Sequence, residues 1–449
     1  MMASLNNAGW DSAPQAETAD LIIINSCGFI ESAKQESINA VLGWRKLYPG
    51  KKILLAGCLA QRYAKELAEA LPEADGLFGI DDPAGITEAA ADAVAKAAAN
   101  AVADAAGIAV KDEAAAKHAD SVEEVPAAGK FAEGRTGWRP LLSMPGSAYV
   151  KISEGCDNRC SYCAIPLIWG NLRSRDITDI TEECRVLLTR GVKELCIIGQ
   201  DIGSFGIDTP GNLRLQGNYK LPELLHAISR LEGHFWVRLL YIHPDHFPLP
   251  ILDIMEKDAR FLPYFDIPFQ HASAKILAAM NRRGTAEKYL ELIENIRSRF
   301  SGAVIRSTFL LGFPGETDED FEYLLDFQEK AKLDWLGCFT YSREDGTAAY
   351  SMTKQIPKKT AAMRKKIIEE RQIPITEKNM ERFTGQKLTV LIEEQIDDFW
   401  LGRLYCQAPD IDGAAVISGS MEQPELQSGM FVPCKVIARR GFDLEVSVV

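Results

Sequence analysis

Six apolar, strand-like segments recur between residues 147 and 341, and amphipathic helical segments separate them. The strand-like segments cover residues 148–152, 194–198, 235–242, 262–269, 303–311 and 334–341. Strands that alternate with helices in this way predict a parallel sheet with crossover helices. Six such units are fewer than the eight of a closed (β/α)8 barrel. The sequence therefore predicts an α/β protein built around an open (β/α)6 partial TIM barrel over residues 142–384.

A smaller α/β domain is expected before the partial barrel, over residues 1–88. Residues 21–27 and 51–57 are apolar runs typical of buried strands, and a helical pattern follows each of them. Residues 89–141 come next and are rich in alanine. Alanine favours helix but can build almost no core, so we expect a linker there.

The chain is expected to end in a third domain. A long charged helix is predicted from about Lys358 to Arg382. After Gly385 the helical period is lost, and short alternating segments are separated by Gly, Pro and Asp. This pattern predicts a small five-stranded β-barrel over residues 385–449.

Three cysteines form the most informative motif. Cys156, Cys160 and Cys163 have the spacing C-x3-C-x2-C and lie between a glycine and a proline, on a predicted loop. A loop can turn three thiolates towards one metal centre. A structural zinc site needs four ligands, and the nearest further cysteine is Cys184. Three thiolates suit a [4Fe–4S] cluster that keeps one iron open for a substrate or cofactor.

The composition limits the compartment and the partners. The net charge is −13 and 47% of residues are hydrophobic, which is typical of globular proteins. No apolar run has the length of a membrane span, and no signal peptide is evident. Ten cysteines in 449 residues are too few for a disulfide scaffold, which predicts reduced thiols in a cytoplasmic protein. Because nucleic-acid affinity depends largely on neutralising phosphates, direct nucleic-acid binding is not expected.

The cysteine triplet, with Tyr162 as its aromatic residue, resembles the C-x3-C-x-aromatic-C signature of radical S-adenosylmethionine enzymes. Further motifs resemble the methylthiotransferase family within them, and the resemblance covers nearly the whole chain. These motifs are NSCGFIESAKQES (25–37), GCLAQRY (57–63), KISEGCDNRCSYCAIPLI (151–168), RSR (173–175), GQDIGSFG (199–206), RLLYIHPD (238–245), DIPFQHAS (266–273), MNRRGT (280–285), LLGFPGETDEDF (310–321), YSREDGTAA (341–349) and APDIDG (408–413).

The resemblance implies an N-terminal methylthiotransferase domain, a radical partial barrel and a C-terminal TRAM barrel. It also implies that Cys156, Cys160 and Cys163 hold a [4Fe–4S] cluster whose open iron binds the amino and carboxylate groups of S-adenosylmethionine. Reduction would cleave this cofactor to a 5′-deoxyadenosyl radical. In the subfamily that fits best, the radical takes hydrogen from the β-carbon of an aspartate in ribosomal protein S-twelve (uS12), which then receives a methylthio group. The resemblance implies this basic protein as the partner, either free or on the ribosome.

A second [4Fe–4S] cluster is implied in the N-terminal domain, where Cys27 and Cys58 match two of the family's three ligands. The family's other cysteine lies in a G-C-x-x-N stretch before NSCGFI, and we expect that this chain begins too late to contain it. A start-site error or a truncated clone is the favoured explanation, and real loss is the alternative. A second departure is Trp169, where the family often has a basic residue. A sulfur donor and an electron donor are implied as partners.

Several polar residues end predicted strands and are candidate cofactor contacts. They are Gln200, Asp201, Gln270 and Gly312, together with Tyr162 in the cysteine loop. A solvated loop is the alternative for Gln200 and Asp201, and a structural histidine is the alternative for the neighbouring His271. A tight turn after the strand is the alternative for Gly312. Five isolated cysteines flanked by apolar residues are predicted to be core thiols: Cys184, Cys196, Cys338, Cys406 and Cys434.

Charge separates the possible substrates. A sister family modifies an isopentenylated adenosine in tRNA with the same radical core. The C-terminal segment 385–449 has five basic and ten acidic residues, and a barrel that holds tRNA should be basic. An acidic barrel instead suits a basic ribosomal protein, which we expect acids such as Asp410 and Asp412 to contact. A non-catalytic iron–sulfur protein is the third hypothesis.

Overall fold

The computed structural model describes residues 1–80, 84–95, 141, 143–209, 219–418 and 425–449. Most of the predicted linker over residues 89–141 lies outside these ranges, and its first residues continue a helix that covers residues 86–95. Among the described residues, no helix is both long enough and apolar enough to cross a membrane.

The chain divides into two compact units. The first combines Met1–Pro140 with two short later segments, Tyr162–Gly170 and Ser342–Tyr350. The second combines Leu141–Ser161, Asn171–Tyr341 and Ser351–Val449, so it contains both the predicted partial barrel and the predicted C-terminal barrel.

A three-stranded parallel sheet forms the centre of the first unit, in the order β1 (Leu21–Ser26), β2 (Lys52–Gly57) and β3 (Gly76–Phe78). Its helices are Met2–Asn7, Glu31–Leu47, Cys58–Arg62, Ala64–Ala70, residues 86–95 and, from later in the chain, Ile165–Trp169. Strand β2 is apolar in an unbroken run because both of its faces are covered. Ile53 and Leu55 pack with Val41, whereas Leu54 and Ala56 pack with the helix over residues 86–95.

The second unit contains the predicted parallel sheet. In chain order its strands are β4 (Ser147–Lys151), β5 (Ser153–Glu154), β6 (Arg173–Ser174), β7 (Glu194–Ile198), β8 (Trp236–Leu239), β9 (Phe261–Asp266), β10 (Val304–Leu311) and β11 (Trp335–Thr340). Strands β5 and β6 form a separate antiparallel ribbon. The other six form one parallel sheet in the order β4-β7-β8-β9-β10-β11, which confirms the partial-barrel prediction.

Amphipathic helices cover the outer face of this sheet. They are Ile177–Thr189, Leu221–Ser229, Pro250–Lys257, Ala274–Ala279, Ala286–Arg299 and Asp318–Ala331. The last of these begins with a capping box in which the side chains of Thr317 and Asp320 each accept a backbone N–H. Alternate strand residues such as Val237 and Leu239 face these helices and form the largest apolar core.

The C-terminal segment closes into the predicted five-stranded barrel. Its strands are β12 (Lys387–Ile396), β13 (Phe399–Arg403), β14 (Ala415–Ser418), β15 (Phe431–Arg440) and β16 (Asp443–Val448), in the order β12-β13-β14-β16-β15. The long helix Lys358–Glu381 leads into it, close to the predicted bounds.

The barrel packs on the inner face of the six-stranded sheet. Trp236 and Tyr264, which lie on this face, share an apolar cluster with Leu404 and Cys406 of the barrel. The indole N–H of Trp335 donates to the carbonyl of Cys406 at 2.8 Å. The sheet is thus covered on both faces, by helices outside and by the barrel inside.

Charged side chains fix this packing at the start of β7. Glu194 is fully buried and accepts from Arg238 of the sheet at 2.8 Å and from Arg403 of the barrel at 2.5 Å. Arg403 also donates to Glu393 at 2.6 Å. Burial alone would raise the pKa of Glu194, but Arg403 and Arg238 lower it to about 2. The carboxylate therefore stays ionised inside the protein.

Replacement of Glu194 by Gln should destabilise the second unit strongly. Buried Arg238 loses its ion-pair partner and Arg403 keeps only Glu393. Breaking a buried pair in this way typically costs about 3–5 kcal/mol of unfolding free energy. Denaturant unfolding at pH 7 measures this loss. A group with a lowered pKa stabilises the fold above its ordinary pKa and loses this effect as the pH falls towards 2. The difference in unfolding free energy between wild type and variant should therefore shrink as the pH is lowered from about 4.5 to about 2.

Asp326→Asn is the matched control, because Asp326 forms an ion pair with Lys330 on an exposed helix face. Its cost should stay below about 1 kcal/mol. Equal losses in the two variants would contradict a special role for the buried cluster.

Candidate active site

The three cysteines of the triplet lie on the loop that follows β5. The ribbon of β5 and β6 closes the base of this loop. Cys156, Cys160 and Cys163 are all half-buried and reduced. The division between the units falls between Ser161 and Tyr162, so Cys163 and half-buried Tyr162 belong to the first unit. Among the described residues, no three His, Cys, Asp or Glu side chains are grouped closely enough to hold a metal ion.

Asn158 holds the cysteine loop at the carboxyl end of the sheet. Its side-chain amide donates to Asp201 at 2.9 Å, and its amide oxygen lies 2.9 Å from Nε2 of His246. Its backbone carbonyl accepts from Asn281 at 3.2 Å. Further along the loop, the backbone N–H of Ser161 donates to the carbonyl of Met280 at 3.1 Å. These bonds fix the segment that contains Cys156 and Cys160 from three sides.

Asp201 is a positioning residue in this arrangement. Its Oδ1 accepts from the backbone N–H groups of Gly203 and His243, both at 3.0 Å. Its Oδ2 accepts from Asn158 at 2.9 Å and from the Ser204 hydroxyl at 2.6 Å. A carboxylate has about four acceptor sites, and protein donors take all of them. Because these donors occupy its oxygens, Asp201 has a structural role in this structure, and the direct contact with the cofactor stays a prediction.

Gln200 and Gln270 have freer surroundings. Gln200 is exposed, directly after β7. Gln270 is half-buried and has a positive φ of 69°, which is unusual for a residue with a side chain. Its backbone bonds to Thr308 and Leu310 hold it beside β10. Non-glycine residues in this conformation cluster at functional sites. Both stay predicted cofactor contacts.

Gly312 forms the tight turn that the sequence analysis gave as the alternative to cofactor binding. Its φ is +75°, and a Cβ atom there would lie 2.3 Å from that of Ala361. Its backbone N–H donates to the carboxylate of Glu316 at 2.9 Å rather than to open space. Glu316 is buried, accepts from Arg364 at 2.5 Å, and lies 3.6 Å from Nε2 of His271. The predicted contact of Gly312 with the cofactor is thus not made through this N–H.

Two histidines that were not predicted site residues, His243 and His246, lie beside the cysteine loop. His243 is buried, and its Nδ1 accepts from the backbone N–H of Asp245 at 3.2 Å. Its Nε2 has no partner among the described residues. Burial, Arg282 and His246 hold the pKa of His243 far below its usual range, so the ring is neutral. The motif RLLYIHPD (238–245) contains only His243, and the contact of His246 with Asn158, 88 positions away, has no local signal in the sequence.

Cys27 and Cys58 lie side by side in the first unit. Strands β1 and β2 pair in parallel and end with Ser26 opposite Gly57. The residue that follows each strand is a cysteine, so the two cysteines lie at the same edge of the sheet. A Cβ atom on Gly28 would lie 2.6 Å from the carbonyl oxygen of Cys58, which shows how closely the two segments approach. Cys27 is exposed and Cys58 half-buried.

The segment Ser342–Tyr350 supports this edge within the first unit. Buried Glu344 forms ion pairs with Lys34 at 3.0 Å and with Arg62 at 2.9 Å. Arg62 also donates to the carbonyl of Gly28 at 2.9 Å. The helix Ile165–Trp169, which follows Cys163, contacts the helix that begins at Cys58. None of these supporting contacts was predicted, because their partners are far apart in sequence.

The remaining five cysteines are buried, which confirms them as core thiols. Burial raises the pKa of Cys184, Cys338 and Cys406 to about 12. A thiol with so high a pKa stays protonated at neutral pH and is a poor metal ligand.

The prediction that Asp412 contacts a protein partner is wrong. Its side chain is only 1% exposed and accepts from the hydroxyl of Tyr264 at 2.6 Å and from the backbone N–H of Ala408 at 2.8 Å. It therefore belongs to the packing of the barrel on the sheet. Asp410 is exposed and accepts from Tyr149 at 3.1 Å.

Comparisons with known proteins agree with this architecture. Residues 150–327 match the Radical SAM superfamily, residues 384–449 the TRAM domain, and residues 1–79 the uncharacterized protein family UPF0004. "Ribosomal protein uS12 methylthiotransferase RimO" of Treponema denticola is 44% identical over 99% of this chain and 96% of its own. The protein of that name from Aquifex aeolicus is 37% identical over 99% and 92%.

Among solved structures, radical S-adenosylmethionine methyltransferase TsrM from Kitasatospora setae, with cobalamin and a [4Fe-4S] cluster bound, matches with a TM-score of 0.46. It is 15% identical and covers 71% of this chain and 61% of its own.

The parallel sheet, the cysteine loop and the matched domains define a radical S-adenosylmethionine enzyme, with an iron–sulfur cluster and S-adenosylmethionine as cofactors. More specifically, the chain belongs to the RimO family of methylthiotransferases.

Asp201→Asn should loosen the cysteine loop. The change removes the charge that holds four donors, and a hydrogen bond to a charged group contributes about 1.5–3 kcal/mol. We expect the reconstituted variant to lose iron several times faster than wild type during gel filtration. Gln200→Ala, at the exposed neighbouring position, should keep its iron and instead raise the KM for S-adenosylmethionine. Iron retention equal to wild type in Asp201→Asn would contradict the positioning role.

Proposed function

We propose that this protein transfers a methylthio group to the β-carbon of an aspartate in ribosomal protein uS12. The observation that carries the proposal is the similarity, over nearly the full chain, to relatives named for that substrate. The acidic C-terminal barrel supports a basic protein substrate over tRNA, because tRNA phosphates would need cations there. A sulfur donor and an electron donor are required partners.

The triplet is proposed to bind the catalytic [4Fe–4S] cluster. Three half-buried thiols on one loop have the number and the spacing of ligands for a cluster with one open iron. In this structure the described side chains are not grouped closely enough to hold a metal ion, so binding of the cluster must draw the three thiols together. When bound, this cluster supplies the electron that cleaves S-adenosylmethionine. The chain's own contribution is to hold the loop rigid through Asn158 and Asp201, and to offer Gln200, Gln270 and Tyr162 as contacts for the cofactor.

A second cluster is proposed at Cys27 and Cys58. Their backbones are adjacent at one sheet edge, and Arg62 and Glu344 brace the surrounding turns. Two thiols alone are an incomplete ligand set, so a further ligand is required. The role of this second cluster would be to carry the sulfur that is methylated and transferred.

Cys160→Ala tests the triplet and the function together. Two thiolates are too few to keep the triplet cluster, so the reconstituted variant should lose the part of the iron absorbance that belongs to this cluster and form no 5′-deoxyadenosine. Mass spectrometry should find a methylthio adduct on one aspartate of uS12 with wild type and none with the variant. Cys184→Ala, a core thiol, is the control and should keep all three signals. Normal 5′-deoxyadenosine formation by Cys160→Ala would contradict the assignment.

Cys58→Ala separates the two proposed clusters. Because Cys58 lies outside the triplet, this variant should still cleave S-adenosylmethionine. It should transfer little or no methylthio group to uS12, since the sulfur-bearing cluster loses a ligand. Adduct formation at the wild-type level would show that this cysteine is dispensable.

A further inference from the structure

The long helix of the second unit carries an unusual charge pattern. No Asp or Glu occurs between Asp345 and Glu369, although acids outnumber bases in the whole chain and its net charge is −13. The same stretch contains six cations, namely Lys354, Lys358, Lys359, Arg364, Lys365 and Lys366. Neither the proposed catalytic chemistry nor the acidic barrel explains this concentration of positive charge.

The structure separates these cations into one structural residue and five surface residues. Ala361, Arg364 and Ile368 form the buried side of the helix Lys358–Glu381, which packs on β10 and β11. Arg364 is neutralised there by Glu316 and Asp318. The five lysines lie on the other side or just before the helix, and their side chains reach solvent. We call them the basic face: Lys354, Lys358, Lys359, Lys365 and Lys366.

Stability of the helix does not account for the basic face. Acids are favoured in the first turn of a helix and cations are disfavoured, yet this helix begins with two lysines and has no acid in its first turn. In the part of the chain that the structure describes, Lys358 and Lys359 have no ion pair. Lys365 and Lys366 have long pairs of 3.5 and 3.6 Å with Glu369 and Glu370. In these pairs the lysine precedes the glutamate, which is the weaker orientation.

The chemistry of the face favours RNA over an acidic protein. The centre of a protein–protein interface is enriched in aromatic and apolar anchors and depleted in lysine. Between the lysines of the helix, Met363 is the exposed large apolar side chain. A row of ammonium groups without such anchors is suited to phosphates, which it can neutralise without a fixed geometry.

We propose that the basic face binds RNA phosphates, and that the enzyme therefore acts preferentially on uS12 within an RNA-bound particle. The second half of this statement rests on the proposed function, whereas the first half does not. It revises the expectation that direct nucleic-acid binding is absent, because a net charge of −13 conceals a local patch of opposite sign.

The test uses the full-length holoenzyme and Lys358→Glu/Lys359→Glu. Fluorescence anisotropy with a labelled RNA oligonucleotide, measured over a range of salt concentrations, gives affinity and salt dependence. The loss of two phosphate contacts should reduce the slope of log affinity against log salt by about 1.5. The unfolding midpoint should not fall, since the new acids occupy a favourable position in the first turn. The control Lys65→Glu/Lys288→Glu has the same charge change, at exposed lysines in the first turns of two other helices, and should bind RNA like wild type.

Activity measurements then address the substrate. Small ribosomal subunits should be modified several-fold more slowly by Lys358→Glu/Lys359→Glu than by wild type. The rates at which the variant modifies free uS12 and cleaves S-adenosylmethionine should equal those of wild type. Three results would overturn the RNA proposal. The first is an RNA affinity that Lys358→Glu/Lys359→Glu leaves unchanged, and the second is an equal loss of affinity in the control. The third is displacement of the labelled RNA by polyglutamate as readily as by unlabelled RNA. If wild type modifies uS12 in neither form, the proposed function fails, while the anisotropy result still decides RNA binding.

Discussion

The architecture of the second unit depends on one buried carboxylate. Glu194 begins a central strand of the sheet, and its two oxygens bind guanidinium groups from the sheet and from the C-terminal barrel. Removing these charges from water costs several kcal/mol for each ion, and the mutual hydrogen bonds offset that cost only in good geometry. The cluster therefore favours one docking position of the barrel strongly over any displaced one. Apolar packing around Trp236 and Tyr264 adds stability but is less directional.

A second polar network performs a comparable task at the carboxyl end of the same sheet. Asp201 gathers four donors, and one of them is the amide of Asn158 within the cysteine loop. Through that amide, the position of the loop depends on the strand end rather than on the loop's own sequence. A loop that holds a cluster needs such support, because three thiolates must keep their geometry while the fourth coordination site changes. The residues next to the ligands therefore matter as much as the ligands.

The fold was largely predictable from sequence because its elements have strong local signals. All six strands of the parallel sheet were found from apolar runs. The errors at their ends have local causes: the strand predicted over 235–242 ends at Leu239, just before Tyr241 takes a positive φ of 67°. The cysteine triplet was equally easy to single out, because its spacing is a local signal, and its role as cluster ligand stays a prediction. Asp412 was misjudged, since its partner Tyr264 lies 148 residues away and exposure cannot be read from an isolated acid. The same limit hid the roles of Asn158, Glu344 and His246.

Charge shows the difference between average and local properties most clearly. The net charge of −13 led to the expectation of a basic protein partner and no nucleic acid. Electrostatic interactions between exposed groups are screened over roughly 8–10 Å at physiological salt, so a partner responds to the nearest few charges and not to the sum over the chain. The acidic barrel and the basic face are separate stretches of sequence with opposite signs. A basic ribosomal protein and the RNA that accompanies it also have opposite signs, so one enzyme can attract both only if its own charges are segregated in this way.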